Sequence, residues 1–295
     1  MKYFEVDFHI SSPEELMQDS RDILSALLGE AGFETFEETV DGLKGYVQQT
    51  MFSQQNLDTS LMAFPFENVT INYEIREAED KDWNEQWEQE GFEPIVVINN
   101  KTIIVHDGRH LPTDTSLYQS PVTEIEIDAH LAFGTGTHET TQMILETLLE
   151  QRLEGCRVLD CGCGTGILGI AALKLGARES VGYDIDEWSV ENARHNAVIN
   201  RVDEHFISHL GDATILDSIP EKFDFVLANI NRNILLADME AFRRKMMTGA
   251  TLVLSGFYHT DVPSLVEKAQ LLGFTMAYEK QKSDWSCLVF RLNKA

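Results

Sequence analysis

The chain has 295 residues, 43% of them hydrophobic, with 49 acidic against 23 basic side chains and a formal net charge of −26. That length suits one large domain or two ordinary ones, and the apolar share suits a globular protein with a full core. The charge argues against direct binding to nucleic acid or anionic membranes and would attract a basic partner, although on charge alone a generic acidic surface is the better explanation. No stretch approaches the ~18 unbroken apolar residues of a membrane span. The four cysteines, Cys156, Cys161, Cys163 and Cys287, contain no CxxC pair. Neither a disulfide framework nor a zinc site is expected, and a reducing cytoplasm fits.

The opening MKYFEVDFHI alternates apolar and charged residues and reads as a strand over 2–10, not as a signal peptide. A helix is expected next, capped by Ser12, with Pro13 at its first position and Glu14 and Glu15 in its first turn, ending near Gly32. Two short strands, ETFEETV and LKGYVQQ, flank a hairpin turn at Asp41–Gly42. A second helix over SQQNLDTSLMAF and the alternating strand VTINYEI complete a β-α-β-β-α-β order, the ferredoxin-like arrangement, within residues 1–75. Residues 76–92 are dense in charge and place Trp83 and Trp87 on one face of a connecting helix.

From residue 93 the pattern changes. Strand-like PIVVINNKTIIVHD and TEIEIDA precede the loop LAFGTGTHETT and a helix through ETTQMILETLLEQRL. Strands then alternate with helices at about 166–175, 187–200, 231–246 and 261–272, which implies a mostly parallel, doubly wound α/β sheet. FTMAYEKQ and WSCLVFRL are joined too tightly for a crossover, so the last strand should be antiparallel.

The first strand of that sheet runs into Asp160-Cys161-Gly162-Cys163-Gly164-Thr165-Gly166 and then a helix. Bare backbone at such a turn lets a ligand approach helix N-terminal N–H groups closely. A nucleoside triphosphate loop is excluded, because no Gly-Lys-Ser/Thr follows. A dinucleotide fingerprint wants a third glycine where Ile167 stands. The spacing with Asp160 ahead of Gly162, Gly164 and Gly166 resembles the S-adenosylmethionine (SAM) site of class I methyltransferases. Asp184, at the end of the next strand, is placed to accept hydrogen bonds from ribose hydroxyls in NAD and SAM sites alike, whereas Asp186 reads as the cap of the following helix. Gly211-Asp212-Ala213 would reach an adenine, a weak signal in a common turn pair. Asn229 falls at the carboxyl end of the fourth strand, over the crevice where such sheets bind ligands.

Together, LAFGTGTHETT, DCGCGTGILGIAALKLGA, GYDID and LANI closely resemble the PrmA family of protein methyltransferases, which act on ribosomal protein eleven of the large subunit, at the stalk base. The resemblance covers most of residues 120–295, and more loosely the linker tryptophans and the N-terminal domain. It implies a class I methyltransferase Rossmann-like fold over 93–295, SAM as cofactor, and substrate recognition by the N-terminal domain. It implies SAM contacts at Thr141, Gly162, Gly164, Asp184 and Asn229, and trimethylation of α-amino and lysine amines on a basic ribosomal protein. Glu139 stands where the family often has proline, which bears on the loop's shape. No strong base stands out. His138 is the one titratable loop residue of suitable pKa, and a structural loop role explains it as well. A release-factor methyltransferase is a rival reading, but its Asn-Pro-Pro-Tyr run is replaced here by Asn229-Ile230-Asn231-Arg232. An NAD oxidoreductase is opposed by Ile167, and a non-enzymatic SAM module has no need of the 131–141 loop.

Overall fold

Tyr3–Ser11 form β1, and its inward side chains Val6, Phe8 and Ile10 are buried while their neighbours are not. This is the period-two signature of a half-covered strand. The helix α1 (Met17–Glu30) follows, then β2 (Thr35–Thr39), β3 (Gly42–Gln48), α2 (Gln54–Met62) and β4 (Thr70–Glu77). The sheet order is β2-β3-β1-β4, and every pairing is antiparallel. Leu24 and Leu28 of α1 and Leu57 of α2 close over the apolar face of the sheet. The expected cap at Ser12 is not found. The cap position is Leu16, and the Ser12 hydroxyl instead donates to the Pro13 carbonyl at 3.2 Å. The Leu16 N–H bonds the same carbonyl, so a turn precedes the helix. Ser53 does cap α2, accepting from the Asn56 N–H.

The computed structural model describes residues 3–13, 16–49, 51–66, 68–78, 91–111, 118, 120–129 and 134–293. Glu14, Glu15, Trp83 and Trp87, with the connecting helix expected of them, lie outside the described residues, as do residues 130–133 of the loop. The chain divides into two units, 1–83 and 84–295.

The second unit opens with a three-stranded sheet of β5 (Ile95–Asn99), β6 (Lys101–His106) and β7 (Val122–Glu126). Asn100, at φ 56°, turns β5 back on β6. Then come α3 (Glu139–Glu150), β8 (Arg157–Cys161), α4 (Ile167–Lys174), β9 (Glu179–Asp184), α5 (Glu187–Ile199), β10 (Phe206–Leu210), β11 (Phe223–Asn229), α6 (Arg232–Arg244), β12 (Met246–Tyr258), α7 (Val262–Leu271), β13 (Phe274–Lys282) and β14 (Trp285–Leu292). The seven-stranded sheet has the order β10-β9-β8-β11-β12-β14-β13. Its first five strands are parallel, and β14 lies antiparallel between β12 and β13. This is the fold of class I methyltransferases.

Both faces are covered. Phe225 and Leu227 of β11 join one apolar cluster with α3, α4 and the small sheet, while Val226 and Ala228 join another with α6 and α7. The helix α4 is apolar all round and buried over Ile167–Leu173, as a helix wedged between sheet and neighbours must be. The strand order reverses between β8 and β11. A crevice therefore opens at their carboxyl ends, where Cys161 and Asn229 sit.

Candidate active site

The glycine turn leaves β8 with Gly162 at φ 69°, Gly164 at φ 50° and Gly166 at φ 79°. A side chain at Gly162 would put its Cβ 2.5 Å from Ile230 Cγ2. Glycine there satisfies a left-handed backbone and a close approach at once. The N–H groups of Gly162 and Cys163 donate to the Tyr183 carbonyl at 2.9 and 3.0 Å. The Gly164 N–H donates to Asp184 Oδ2 at 2.9 Å, and the Asp186 N–H donates to Asp184 Oδ1 at 3.1 Å. Asp184 thus ties the turn to the end of β9. Asp186 caps α5 by accepting from the Ser189 N–H.

Asp160 stands behind the turn, wholly buried. Its Oδ2 accepts from the Gly169 N–H at 3.0 Å, and its Oδ1 is buried with no hydrogen-bond partner. Burial pushes its carboxyl up to about 7, against the Gly169 hydrogen bond, with the nearby Asp184 carboxylate adding to the rise. Cys161 and Cys163 are buried thiols whose pKa values burial also raises, so neither is poised as a thiolate.

The cleft beside the turn measures about 350 Å³, and Thr141, Gly162, Gly164, Asp184 and Asn229 all line it. Asn229 Nδ2 donates to Thr141 Oγ1 at 3.2 Å, while Asn229 Oδ1 is buried without a partner. A buried amide oxygen left open in this way is an acceptor waiting for an N–H or O–H from a ligand. The described part of the 131–141 loop closes one side, where Thr165 Oγ1 donates to the Gly134 carbonyl at 2.7 Å. His138 accepts the Thr140 N–H on Nδ1 at 3.3 Å and so caps α3. Its ring meets Trp285 edge to face at 4.8 Å.

The far end of the cleft carries Asp212, whose Oδ1 accepts from the Thr214 N–H at 2.9 Å. Asp238 lines the same end, and burial followed by the neighbouring Asp212 charge raises its carboxyl pKa. Asp238 escaped the sequence reading. The signal available was its spacing of four from Ile234, which also lines the cleft and shares its helix face. Ile230, the residue that crowds Gly162, was likewise not singled out.

A family model described as ribosomal protein L11 methyltransferase (PrmA) matches residues 10–293. The chain belongs to this family. A ribosomal protein L11 methyltransferase of Bacteroides thetaiotaomicron is 42% identical over 290 residues, covering 98% of this chain and 99% of the relative. One from Bacillus cytotoxicus is 30% identical and covers 86% of this chain and 81% of the relative. The crystal structure of a ribosomal protein L11 methylase from Lactobacillus delbrueckii subsp. bulgaricus aligns with a TM-score of 0.59 and 23% identity, covering 69% of this chain and all of that one, which speaks to the fold. The chain is therefore a SAM-dependent methyltransferase.

The residues present fit SAM. The cleft has the volume of a small-molecule site, the turn at Gly162 has no room for a Cβ, and Asn229, which lines the cleft, has a buried side-chain oxygen with no partner in the protein. When bound, SAM supplies an electrophilic methyl on a sulfonium. Among the described residues no group of three or more His, Cys, Asp or Glu side chains is arranged to hold a metal ion.

Proposed function

We propose that the chain transfers methyl groups from SAM to α-amino and lysine ε-amino groups of ribosomal protein L11, carrying each to the trimethyl state. The proposal places SAM along the glycine turn, with Asp184 taking the ribose hydroxyls and Asp212 facing the adenine. Thr141 and Asn229 meet at the reactive end. The Asn229–Thr141 contact carries the reading, because it leaves a neutral acceptor oxygen at the switch point of the sheet. A neutral amide can orient an amine without holding it as an ammonium. A lysine near its ordinary pKa of ~10.4 must shed a proton before it attacks. His138 already caps α3 through Nδ1, so its structural role is occupied, and alignment and desolvation of the amine supply the rate.

The N-terminal unit holds the protein substrate in this reading, and the acidic chain draws a basic stalk-base protein to it, chiefly through on-rate. No helix among the described residues is long and apolar enough to cross a membrane. The test is incubation of the enzyme with labelled SAM and purified L11, followed by peptide mass analysis. Mass increments of one, two and three methyls on the same amines are expected. Label found only on other proteins of a ribosomal extract would refute the assignment.

A further inference from the structure

The carboxyl edge of the sheet reads as a line. Asp212 follows β10, Asp184 ends β9, Gly162 leaves β8 and Asn229 ends β11. The next two positions along that edge are Tyr258, at the end of β12, and Trp285, at the start of β14, and they are paired in the ladder. Asn229 is itself paired with Ser255, three residues before Tyr258. If the adenosyl group lies over β10 to β8 and the methyl points past Asn229, the acceptor amine comes in over β12 and β14. What it meets there is aromatic. Tyr258 stacks on Trp285 with centroids 4.3 Å apart and planes 27° apart, and His138 stands against Trp285 at 4.8 Å and 74°. None of the three rings lines the cofactor cleft itself, but His138 caps the helix whose first turn carries Thr141, which does. Tyr258 is 51% exposed, which a ring recruited only for the core would not be.

We propose that Tyr258, Trp285 and His138 form the acceptor-side wall of the active site and receive the alkylammonium that each methyl transfer produces, which releases a proton to solvent before the next transfer. The inference rests on the reading of Asn229 as the reactive end. The chemistry calls for such a wall. Each transfer replaces an N–H of the amine by a methyl, so hydrogen bonding weakens step by step and a trimethylammonium has no donor left. Each transfer leaves a positive charge on the nitrogen, which is lost with a proton to solvent before the next transfer and is permanent in the trimethyl product, and aromatic faces attract that charge without needing an N–H. Two carboxylates stand beside the wall, Asp261, which is paired with Arg232 at 3.4 Å, and Glu279, which meets His259 at 3.0 Å. Asp261 Oδ2 accepts from the Tyr258 N–H, and Glu279 bonds the Ser286 hydroxyl next to Trp285.

The probes are Nα-acetyl-trimethyllysine amide and its neutral isostere, in which a carbon replaces the ammonium nitrogen. Both are tested as inhibitors of L11 methylation by the full-length enzyme. The ammonium probe should inhibit about threefold to thirtyfold more tightly than the neutral one. Tyr258→Leu should bring that ratio towards one and shift the products of L11 towards mono- and dimethyl forms. Tyr258→Phe should keep both properties, and SAM affinity measured by calorimetry should be unchanged in each variant. Trp285→Leu should behave like Tyr258→Leu, and the surface position of Tyr258 keeps the test decisive should the tryptophan variant misfold. Equal inhibition by the two probes in the wild type, or a preserved ratio in Tyr258→Leu, would overturn the proposal. Asn229→Ala separates the two ideas: an unchanged methylation rate there would remove the reading of Asn229, while the probe ratio still reports on the wall.

Discussion

Replacing Asp160 by asparagine should make the catalytic unit more stable above neutral pH, and the gain can be worked from the structure. Asp160 titrates at about 7 in the fold against an ordinary value of 3.8. Between these values the unfolded chain has lost the proton and the folded chain still holds it, so folding takes up a proton and stability falls as pH rises. A difference of about three pKa units at ~1.4 kcal/mol each puts the full loss at about 4 kcal/mol above pH 7. Asparagine keeps the oxygen that accepts the Gly169 N–H and removes the charge. Its Nδ2 enters a region where Ser180 Oγ, also without a partner, flanks the same glycine. Denaturation of the full-length protein in urea should be followed at pH 5 and pH 8 through the transition of the catalytic unit. Wild type should lose about 2.5 kcal/mol between the two, the rest of the full loss falling below pH 5, and Asp160→Asn should lose much less, so that the variant is the more stable at pH 8. Parallel pH profiles for the two proteins would refute the claim that a buried, half-satisfied carboxylate sits beneath the glycine turn.

Asp184→Ala should weaken SAM binding by roughly 1.5–3 kcal/mol, a ten- to hundredfold rise in Kd by calorimetry, since the ribose and the Gly164 N–H both lose an acceptor. Wild-type affinity in that variant would move the ribose elsewhere. Gly162→Ala should cost about 1–3 kcal/mol in urea denaturation, and a second substitution, Ile230→Ala, should recover the share caused by the 2.5 Å contact. No coupling between the two would mean the backbone φ alone is responsible. Asn229→Ala should lower kcat for L11 methylation more than tenfold while the SAM Kd moves about threefold or less. A loss confined to SAM affinity would place Asn229 on the cofactor instead.

Most of the catalytic fold was legible because its signals are periodic and local. The helices expected at 187–200 and 261–272 are found at Glu187–Ile199 and Val262–Leu271, and the tight link before Trp285 does join an antiparallel pair. Gly162, Gly164, Asp184 and Asn229 stand out in the sequence as a glycine turn and strand ends, Thr141 only through the family resemblance, and the structure brings all five to one cleft. Contacts between distant residues were not legible. Nothing in the spacing tells that Gly164 donates to Asp184, or that Ile230 crowds Gly162, because these depend on how β8, β9 and β11 are juxtaposed. Ser12 failed as a cap for a local reason. A turn at Pro13 intervened, and the hydroxyl found the Pro13 carbonyl before it could reach a helical N–H. The aromatic cluster unites residues 138, 258 and 285, which no window on the sequence compares.

The place of β14 between β12 and β13 has a consequence for biosynthesis. A ribosome delivers β12 and β13 first; β12 can already pair with β11, but β13 cannot join the sheet until residues 285–292 arrive to lie between them. The cofactor half of the crevice, built from β8 to β11, can be in place by then, but Trp285 reaches the acceptor half last. A nascent chain could therefore acquire the means to hold SAM before it acquires the means to hold an amine, and a chain stalled before residue 285 would leave the apolar β12 edge, with Leu252, Val253 and Leu254, unpaired and open to aggregation.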